Sequence, residues 1–306
     1  MQKPDALRPG DRVAVVAPAS PFDREEFELG LATCRALGYE PVPDDTVFDR
    51  SGFVAGPPEV RAAALRRVIT DRSVKGIFCA RGGYGSAQVL PYLDAAELLA
   101  ARKVFVGYSD LTALLTFHTV LAGLVSFHGP TIVAMSAGDT GFDRASLLGA
   151  VGSPEPLGLL EVPALEGIRP GDARGPLFGG TLTQLVASFG TPFAFDPPAG
   201  HILFLDEVGE RPYRLDRMLT QLRLSGVLQR AGGVVIGELP RCDEPAGQPR
   251  GLDVVRDVFA GFAGPVVAGF PSGHSSAPAR TLPLGVQVRL DASGSPRLVV
   301  AEAAVR

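Results

Sequence analysis

A serine at the end of an apolar strand is the first candidate for chemistry. In the segment VFVGYSDLTALL, the strand ends at Gly107 and a helical pattern begins within three residues, which places Ser109 at the turn. A serine on a tight strand-to-helix turn exposes its hydroxyl at the carboxyl edge of the sheet, facing N–H groups of the helix. That is the position of a nucleophile, although Leu111 stands where the GxSxG pattern has its second glycine. The alternative is that Ser109 or Asp110 only caps the helix.

A glycine cluster follows a second apolar strand, in the segment CARGGYGSAQVL. Gly82, Gly83 and Gly85 permit positive φ and expose backbone N–H groups, which could stabilise a phosphate or an oxyanion. The segment matches neither the GxGxxG nor the GxxxxGK[ST] nucleotide pattern. A plain turn is therefore as consistent with this segment as a functional loop.

The four histidines differ in context. His274 lies in FPSGHSSAPARTLPLG, a loop without an obvious packing role, which makes it the best functional candidate. His118 lies inside the helix after Ser109 and is predicted to pack. His128, in SFHGP, ends a strand and could line a cleft, whereas His201 opens the strand ILFLDE and is predicted to be an exposed edge residue.

Two carboxylates end the apolar strand ILFL. Because side chains alternate along a strand, Asp206 and Glu207 point to opposite faces, so one of them could reach a cleft. A strand-end carboxylate can orient a histidine by accepting its Nδ1 proton. The alternative is a pair of solvated charges. No HExxH, paired CxxC or aspartate cluster is present, so the sequence predicts no metal and no cofactor.

Composition restricts the class of protein. The chain has 306 residues, with 29 Lys and Arg against 33 Asp and Glu, a net charge of −4 that excludes a strongly basic nucleic-acid binder. With 46% hydrophobic and 20% charged residues, it should be globular. We expect a soluble cytoplasmic protein. The first residues do not resemble a signal peptide, and no apolar run reaches the roughly 18 residues of a membrane-spanning helix. The three cysteines (Cys34, Cys79, Cys242) are an odd number without CxxC spacing, which favours reduced thiols.

The elements that must position these residues follow from hydrophobic periodicity. In the first half, strand-sized apolar runs such as KGIFCA and KVFVG alternate with amphipathic helical stretches, which predicts βαβ units in a Rossmann-like parallel sheet. Ligands of such sheets bind at the carboxyl ends of the strands. Residues 175–306 contain fewer crossover helices near their end, which favours a second α/β domain with a mixed sheet.

The fold prediction is therefore α/β with two domains. The first covers 1–145 and carries Ser109; the second covers 175–306 and carries Asp206 and His274. Periodicity fades between them into Gly, Pro, Ser and Asp, so residues 146–174 are predicted to be a linker.

These segments together resemble the LD-carboxypeptidase family of serine peptidases, which includes the microcin-immunity peptidases. The resemblance rests on motifs in order along nearly the whole chain: LRPGDRVAVVAPAS, ARGGYGSAQVLPYLD, VGYSDLTALL, FHGP, FGGTLTQLVASFGTPF, ILFLDEVGERPYRLDRMLTQL and GFPSGHSSAPARTLPLG. It implies an active site between the two domains.

The resemblance also implies a role for each site residue. The GYSD motif makes Ser109 the nucleophile, and the GH pair before TLPLG makes His274 the base. The family has a glutamate at the third position, in the pattern LED, where this chain has Asp206; Glu207 is the alternative acid, disfavoured by strand alternation. Backbone N–H groups of Gly83 and Asp110 would meet the oxyanion.

The implied substrate is a cytoplasmic murein tetrapeptide that loses its terminal D-alanine. A guanidinium suits the substrate carboxylate, and Arg81 and Arg280 lie in the motifs. The resemblance further implies a homodimer. Two alternatives stay open: a microcin-immunity-type peptidase that cleaves aminoacyl-nucleotide conjugates, which the absence of Trp disfavours, and a non-catalytic nucleotide-sensing α/β protein.

Overall fold

The computed structural model describes residues 1–306, and the first half alternates strands with helices as predicted. The strands are β1 (Arg12–Val16), β2 (Glu40–Pro43), β3 (Val74–Cys79), β4 (Val104–Gly107) and β5 (Ser126–His128). The helices are α1 (Arg24–Ala36), α2 (Pro58–Thr70), α3 (Ala95–Ala101), α4 (Thr112–Thr116), α5 (Ile132–Met135) and α6 (Arg144–Gly152). Two helical segments of the first half depart from α-helical geometry. Ser86–Tyr92 is a 3₁₀ helix, and α4 is flanked by a 3₁₀ turn (Ser109–Leu111) and a π turn (Phe117–Leu121).

The second half has more strands and fewer helices. Its strands are β6 (Gly158–Leu160), β7 (Glu166–Arg169), β8 (Asp172–Thr181), β9 (Ile202–Asp206), β10 (Gly233–Gly237), β11 (Val266–Phe270), β12 (Leu282–Leu284), β13 (Gln287–Asp291) and β14 (Arg297–Val300). Its helices are α7 (Leu182–Ala187), α8 (Pro212–Leu224), α9 (Val227–Arg230) and α10 (Gly251–Phe259).

The strands form two sheets. The first has the order β12-β5-β4-β3-β1-β2 and is parallel except for β12, which runs antiparallel to β5. The second has the order β6-β14-β13-β8-β9-β10-β11-β7, with a parallel centre from β8 to β11 and antiparallel strands on both sides. The predicted pairing of a Rossmann-like sheet with a mixed sheet is confirmed.

Local sequence explains where the helices begin and end. Asp23 caps α1 by accepting the N–H groups of Glu25 and Glu26, and Gly38 follows the helix at φ +96°, a left-handed conformation that glycine adopts without strain. Buried apolar strands such as Val104–Gly107 form the centre of each sheet. No helix is both long enough and apolar enough to span a bilayer.

The predicted linker 146–174 needs correction. It holds most of α6, and it also contains β6 and β7, which close the two edges of the second sheet. These two strands are short and partly exposed, and because edge strands bury little side-chain area, their sequences show no clear alternation of apolar and polar residues. The loss of hydrophobic periodicity therefore suggested a linker. Likewise β12, from the segment assigned to the second domain, is a strand of the first sheet.

The carboxyl edges of the two parallel regions meet. Thr112, at the start of α4, accepts the N–H of Thr181 at the end of β8 through its hydroxyl, at 3.0 Å. The loops that follow β3, β4, β9, β10 and β11 contact one another at this junction, where ligands of α/β sheets bind.

Candidate active site

Ser109 lies on a strained turn directly after β4. Its backbone has φ +66°, a left-handed conformation that costs a residue with a side chain about 1–3 kcal/mol. The side chain is half-buried and caps neither the 3₁₀ turn nor α4. Because strain of this kind is kept where the turn aims a reactive group, the geometry favours a nucleophile over a helix cap.

Asp110 does not cap the helix either. Its buried carboxylate accepts the N–H of Ser86 at 2.8 Å, and the Ser86 hydroxyl donates to the Asp110 carbonyl at 2.5 Å. These two bonds tie the glycine-rich loop to the serine turn, and a Cβ added at Gly82 would lie 2.9 Å from Cβ of Ser109. The loop and the turn are therefore joined by hydrogen bonds and packed against each other.

Gly83 supplies a free backbone donor in the glycine-rich loop. It has φ +98°, is exposed, and its N–H makes no hydrogen bond within the protein. A Cβ at this position would lie 2.5 Å from Oγ of Ser20, so only glycine fits. Gly83 follows Gly82, which packs against Ser109, and an unpaired N–H in this loop can receive an oxyanion.

Asp206 and His274 form a tight pair. Asp206, the last residue of β9, is fully buried, and its Oδ2 lies 2.7 Å from Nδ1 of His274. Its Oδ1 accepts the backbone N–H of His274 at 3.1 Å, and Thr181 donates its hydroxyl to Oδ2 at 3.3 Å. Because Nδ1 is engaged, Nε2 of His274 is the nitrogen left for a reacting group. The His274 side chain is 18% exposed, so it can meet a ligand.

Gly273 makes this pair possible. Its φ is +76°, and a Cβ added there would lie 2.5 Å from Oδ2 of Asp206 and 2.6 Å from Cε1 of His128. Only a glycine lets the backbone pass this close to the carboxylate.

Glu207 points away from His274, as strand alternation predicts. It accepts the N–H and the hydroxyl of Thr183, at 2.8 and 2.7 Å, and the N–H of Val208 at 2.9 Å. Burial raises the pKa of the Glu207 carboxyl, against these hydrogen bonds, which lower it. Glu207 thus accepts hydrogen bonds from the first turn of α7 and is not placed to orient the histidine.

Tyr108 connects the two halves of the site. Its ring lies edge-on to the His274 ring, with centroids 5.2 Å apart, and it immediately precedes Ser109 in the chain. Burial and the Asp206 charge raise the pKa of Tyr108, whereas the charge of Arg81 lowers it. Arg81 itself is exposed at the rim, where its guanidinium donates to the Pro21 carbonyl at 3.1 Å.

Sequence reasoning missed some of these residues. His128 does not line a cleft but is fully buried beside the Asp206–His274 pair, and nothing local in SFHGP indicated that. The predicted exposure of His201 is wrong, because the residue is 0% exposed and its Nδ1 bonds the Pro198 carbonyl at 2.8 Å. Thr181 and Tyr108 lie in the quoted motifs, but their contacts depend on the sheet-to-sheet packing.

The chain matches two family models. The LD-carboxypeptidase N-terminal domain model matches residues 13–129, and the C-terminal domain model matches residues 174–290. A probable murein peptide carboxypeptidase of Bacillus subtilis is 34% identical over 94% of this chain and 91% of its own. The murein tetrapeptide carboxypeptidase of Pseudomonas aeruginosa is 32% identical over 87% of this chain and 88% of its own.

Solved structures agree with these matches. The crystal structure of a muramoyltetrapeptide carboxypeptidase from Oxalobacter formigenes superposes with a TM-score of 0.81 at 28% identity, covering 94% of this chain and 97% of the other. The microcin C7 self-immunity protein MccF, in complex with aspartyl sulfamoyl adenosine, superposes with a TM-score of 0.90 at 21% identity over the full length of both chains, which shows a shared fold.

Proposed function

The chain belongs to the LD-carboxypeptidase family and is a serine peptidase; we propose that it removes the terminal D-alanine from murein tetrapeptides through an acyl-enzyme on Ser109. The observation that supports the assignment of residues is the Asp206–His274 pair, held at 2.7 Å, with the His274 ring 5.2 Å from the ring of Tyr108, the residue before the left-handed turn at Ser109. The similarity to two murein carboxypeptidases supports the substrate class.

In the first step His274 Nε2 takes the Ser109 proton as Oγ attacks the carbonyl of the scissile bond. Asp206 keeps the imidazole proton on Nδ1 and stabilises the imidazolium that forms. The N–H groups of Gly83 and Asp110 receive the oxyanion, and one such donor is worth about 3–4 kcal/mol in the transition state.

Collapse of the tetrahedral intermediate breaks the C–N bond, and His274 gives its proton to the departing amine of D-alanine. Water then attacks the acyl-enzyme with His274 as base, and the tripeptide leaves with a new carboxylate while Ser109 regains its proton. Arg81, at the rim beside Tyr108, is our candidate to hold the terminal carboxylate of the substrate. We place this reaction in the cytoplasm, on peptides released from the wall.

The test is release of free D-alanine from L-Ala-γ-D-Glu-meso-diaminopimelyl-D-Ala by the wild type and by Ser109→Ala. The same peptide ending in L-alanine is the control for stereospecificity. Release by the wild type alone, from the D-alanine peptide alone, is expected. Equal release by both proteins would remove Ser109 from the mechanism.

The shared fold with MccF makes an aminoacyl-nucleotide conjugate the second candidate substrate. If folded wild type releases no D-alanine, hydrolysis of aspartyl sulfamoyl adenosine is measured next. Turnover of that compound in place of the tetrapeptide would reassign the substrate and retain the residue roles.

A further inference from the structure

His128 is a fully buried histidine that the mechanism above does not use. It ends β5, with Gly107 of β4 on one side and Leu282 of β12 on the other. Its relative exposure is 0%. It therefore lies in the sheet that carries Ser109, one strand away from the strand before the nucleophile.

The polar contact of His128 is to the other half of the chain. Its Nδ1 lies 3.0 Å from Oγ of Ser272, which is also fully buried and lies two residues before His274. The two residues are 144 positions apart in sequence. This hydrogen bond joins the nucleophile's sheet to the loop that carries the base.

The loop segment Ser272–Ser276 is held at both ends. Beyond His274, the hydroxyl groups of Ser275 and Ser276 and the N–H of Ser276 donate to the Glu238 carboxylate, at 2.8, 2.6 and 2.8 Å. Glu238 follows β10 of the second sheet, so its bonds fix the loop to the sheet of Asp206. Within Ser272–Ser276, the bond from Ser272 to His128 is the hydrogen bond that reaches the sheet of Ser109.

His128 stays neutral in this position. Burial lowers its pKa to about 4; the Asp206 charge opposes this shift, and His274 adds to it. The rings of Tyr108 and Phe204 face it edge-on, at centroid distances of 6.1 and 5.0 Å. A neutral His128 places no positive charge beside Asp206, so no second cation competes with His274 for the carboxylate.

We propose that His128 is a positioning residue that sets His274 relative to Ser109 by holding Ser272 across the two sheets. This inference rests on the proposed Ser109–His274 chemistry and adds a residue to it. Without the bond, the hydrogen bonds of Ser272–Ser276 to other elements reach only the second sheet, and the chain next meets the sheet of Ser109 at β12, eight residues beyond His274. A misplacement of about 1 Å can cost about 100-fold in rate.

The test compares variants on both sides of the bond. His128→Phe fills the space without a polar atom, and Ser272→Ala removes the hydroxyl with almost no change in volume. Each is expected to lower kcat about 10- to 100-fold and to leave KM within about threefold. Because both changes delete one bond, the double variant is expected to be no slower than the worse single variant.

Two further variants separate positioning from general damage. His128→Asn places an amide near the position of Nδ1 and is expected to recover most of the lost kcat. His118→Phe is the matched control, since His118 is also buried and has a pKa lowered to about 4 by burial, but bonds only the Leu114 carbonyl of its own helix. It is expected to keep wild-type kcat.

The rate at which a fluorophosphonate labels Ser109 is measured in parallel. Labelling needs the nucleophile and its base but not the murein peptide, so it tests His128 even if the wild type fails to release D-alanine. Slower labelling of the His128→Phe and Ser272→Ala variants supports the proposal. Labelling and kcat within twofold of wild type in both folded variants, or an equal loss in His118→Phe, would overturn it.

Discussion

Exchange of the two neighbouring carboxylates for amides is expected to separate their roles. In Asp206→Asn, the Oδ1 position can still accept the N–H of His274, but an NH₂ group then faces Nδ1 at the 2.7 Å contact. The neutral imidazole must then adopt the tautomer protonated on Nε2, so this nitrogen is no longer free to accept the Ser109 proton. The imidazolium of the transition state also loses a partner charge.

The size of the effect follows from the geometry. For charge centres about 4 Å apart and an effective dielectric constant of about 20, the lost attraction is about 4 kcal/mol. That corresponds to about 10³-fold in kcat/KM, and the tautomer penalty adds to it. Because the aspartate and asparagine side chains have nearly equal volumes, we expect the free energy of unfolding in urea to change by less than the roughly 4 kcal/mol lost in the transition state.

Glu207→Gln is the matched control and should show the opposite profile. Glu207 accepts three hydrogen bonds through both oxygens, so an amide leaves at least one N–H of the Thr183 or Val208 group without an acceptor. Stability is expected to fall by about 1–3 kcal/mol, with kcat/KM within about fivefold of wild type. D-alanine release and urea unfolding are measured on both variants. A larger rate loss in Glu207→Gln than in Asp206→Asn would refute the assignment of the acid.

Other expectations concern strain, space and pH. Ser109→Gly and Ser109→Ala should both be inactive, but the glycine variant should be more stable by about 0.5–1 kcal/mol in urea unfolding, because it alone relieves the left-handed strain; equal stability would contradict strain at this turn. Gly273→Ala should lose about 100-fold or more in kcat, because its Cβ would lie 2.5 Å from the Asp206 carboxylate; an active variant would show that the pair tolerates displacement. The pKa of His118 is about 4 in the folded protein and about 6.5 in the unfolded chain, because burial disfavours the charged imidazolium. The contribution of neutral His118 to the free energy of unfolding is therefore present above pH 6.5 and is lost as the pH falls towards 4. His118→Phe should therefore lose about 2 kcal/mol less than the wild type between pH 7.5 and 5 in urea unfolding, and an unchanged pH dependence would contradict a neutral His118.

The sequence was most informative where the pattern is local. Apolar runs such as Val104–Gly107 indicate buried strands directly, and the glycine after α1 marks the end of that helix. The order of the motifs along the chain indicated the family. Strand alternation also predicted that Asp206 and Glu207 point to opposite faces of the sheet. This alternation is a property of the strand backbone itself and does not depend on packing.

What the sequence did not reveal depends on long-range packing. The bond between His128 and Ser272 joins residues far apart in the chain, and neither residue has a local pattern that marks it. The burial of His201 comes from packing against Phe178 of β8, whose ring centroid lies 6.4 Å from its own. The short edge strands β6 and β7 are defined by their partners β14 and β11 rather than by their own composition.

The position of β12 has a consequence for the order in which the chain folds during synthesis. Leu282–Leu284 completes the edge of the first sheet next to β5, so the strand that supports His128 lacks its neighbour until residue 284 has left the ribosome. Contacts of such high sequence separation form late, because a long loop must close first. A nascent chain that already contains Ser109 therefore still lacks the base and the edge strand. A chain that ends before residue 284 therefore has an incomplete first sheet, and one that ends before residue 274 also lacks the histidine.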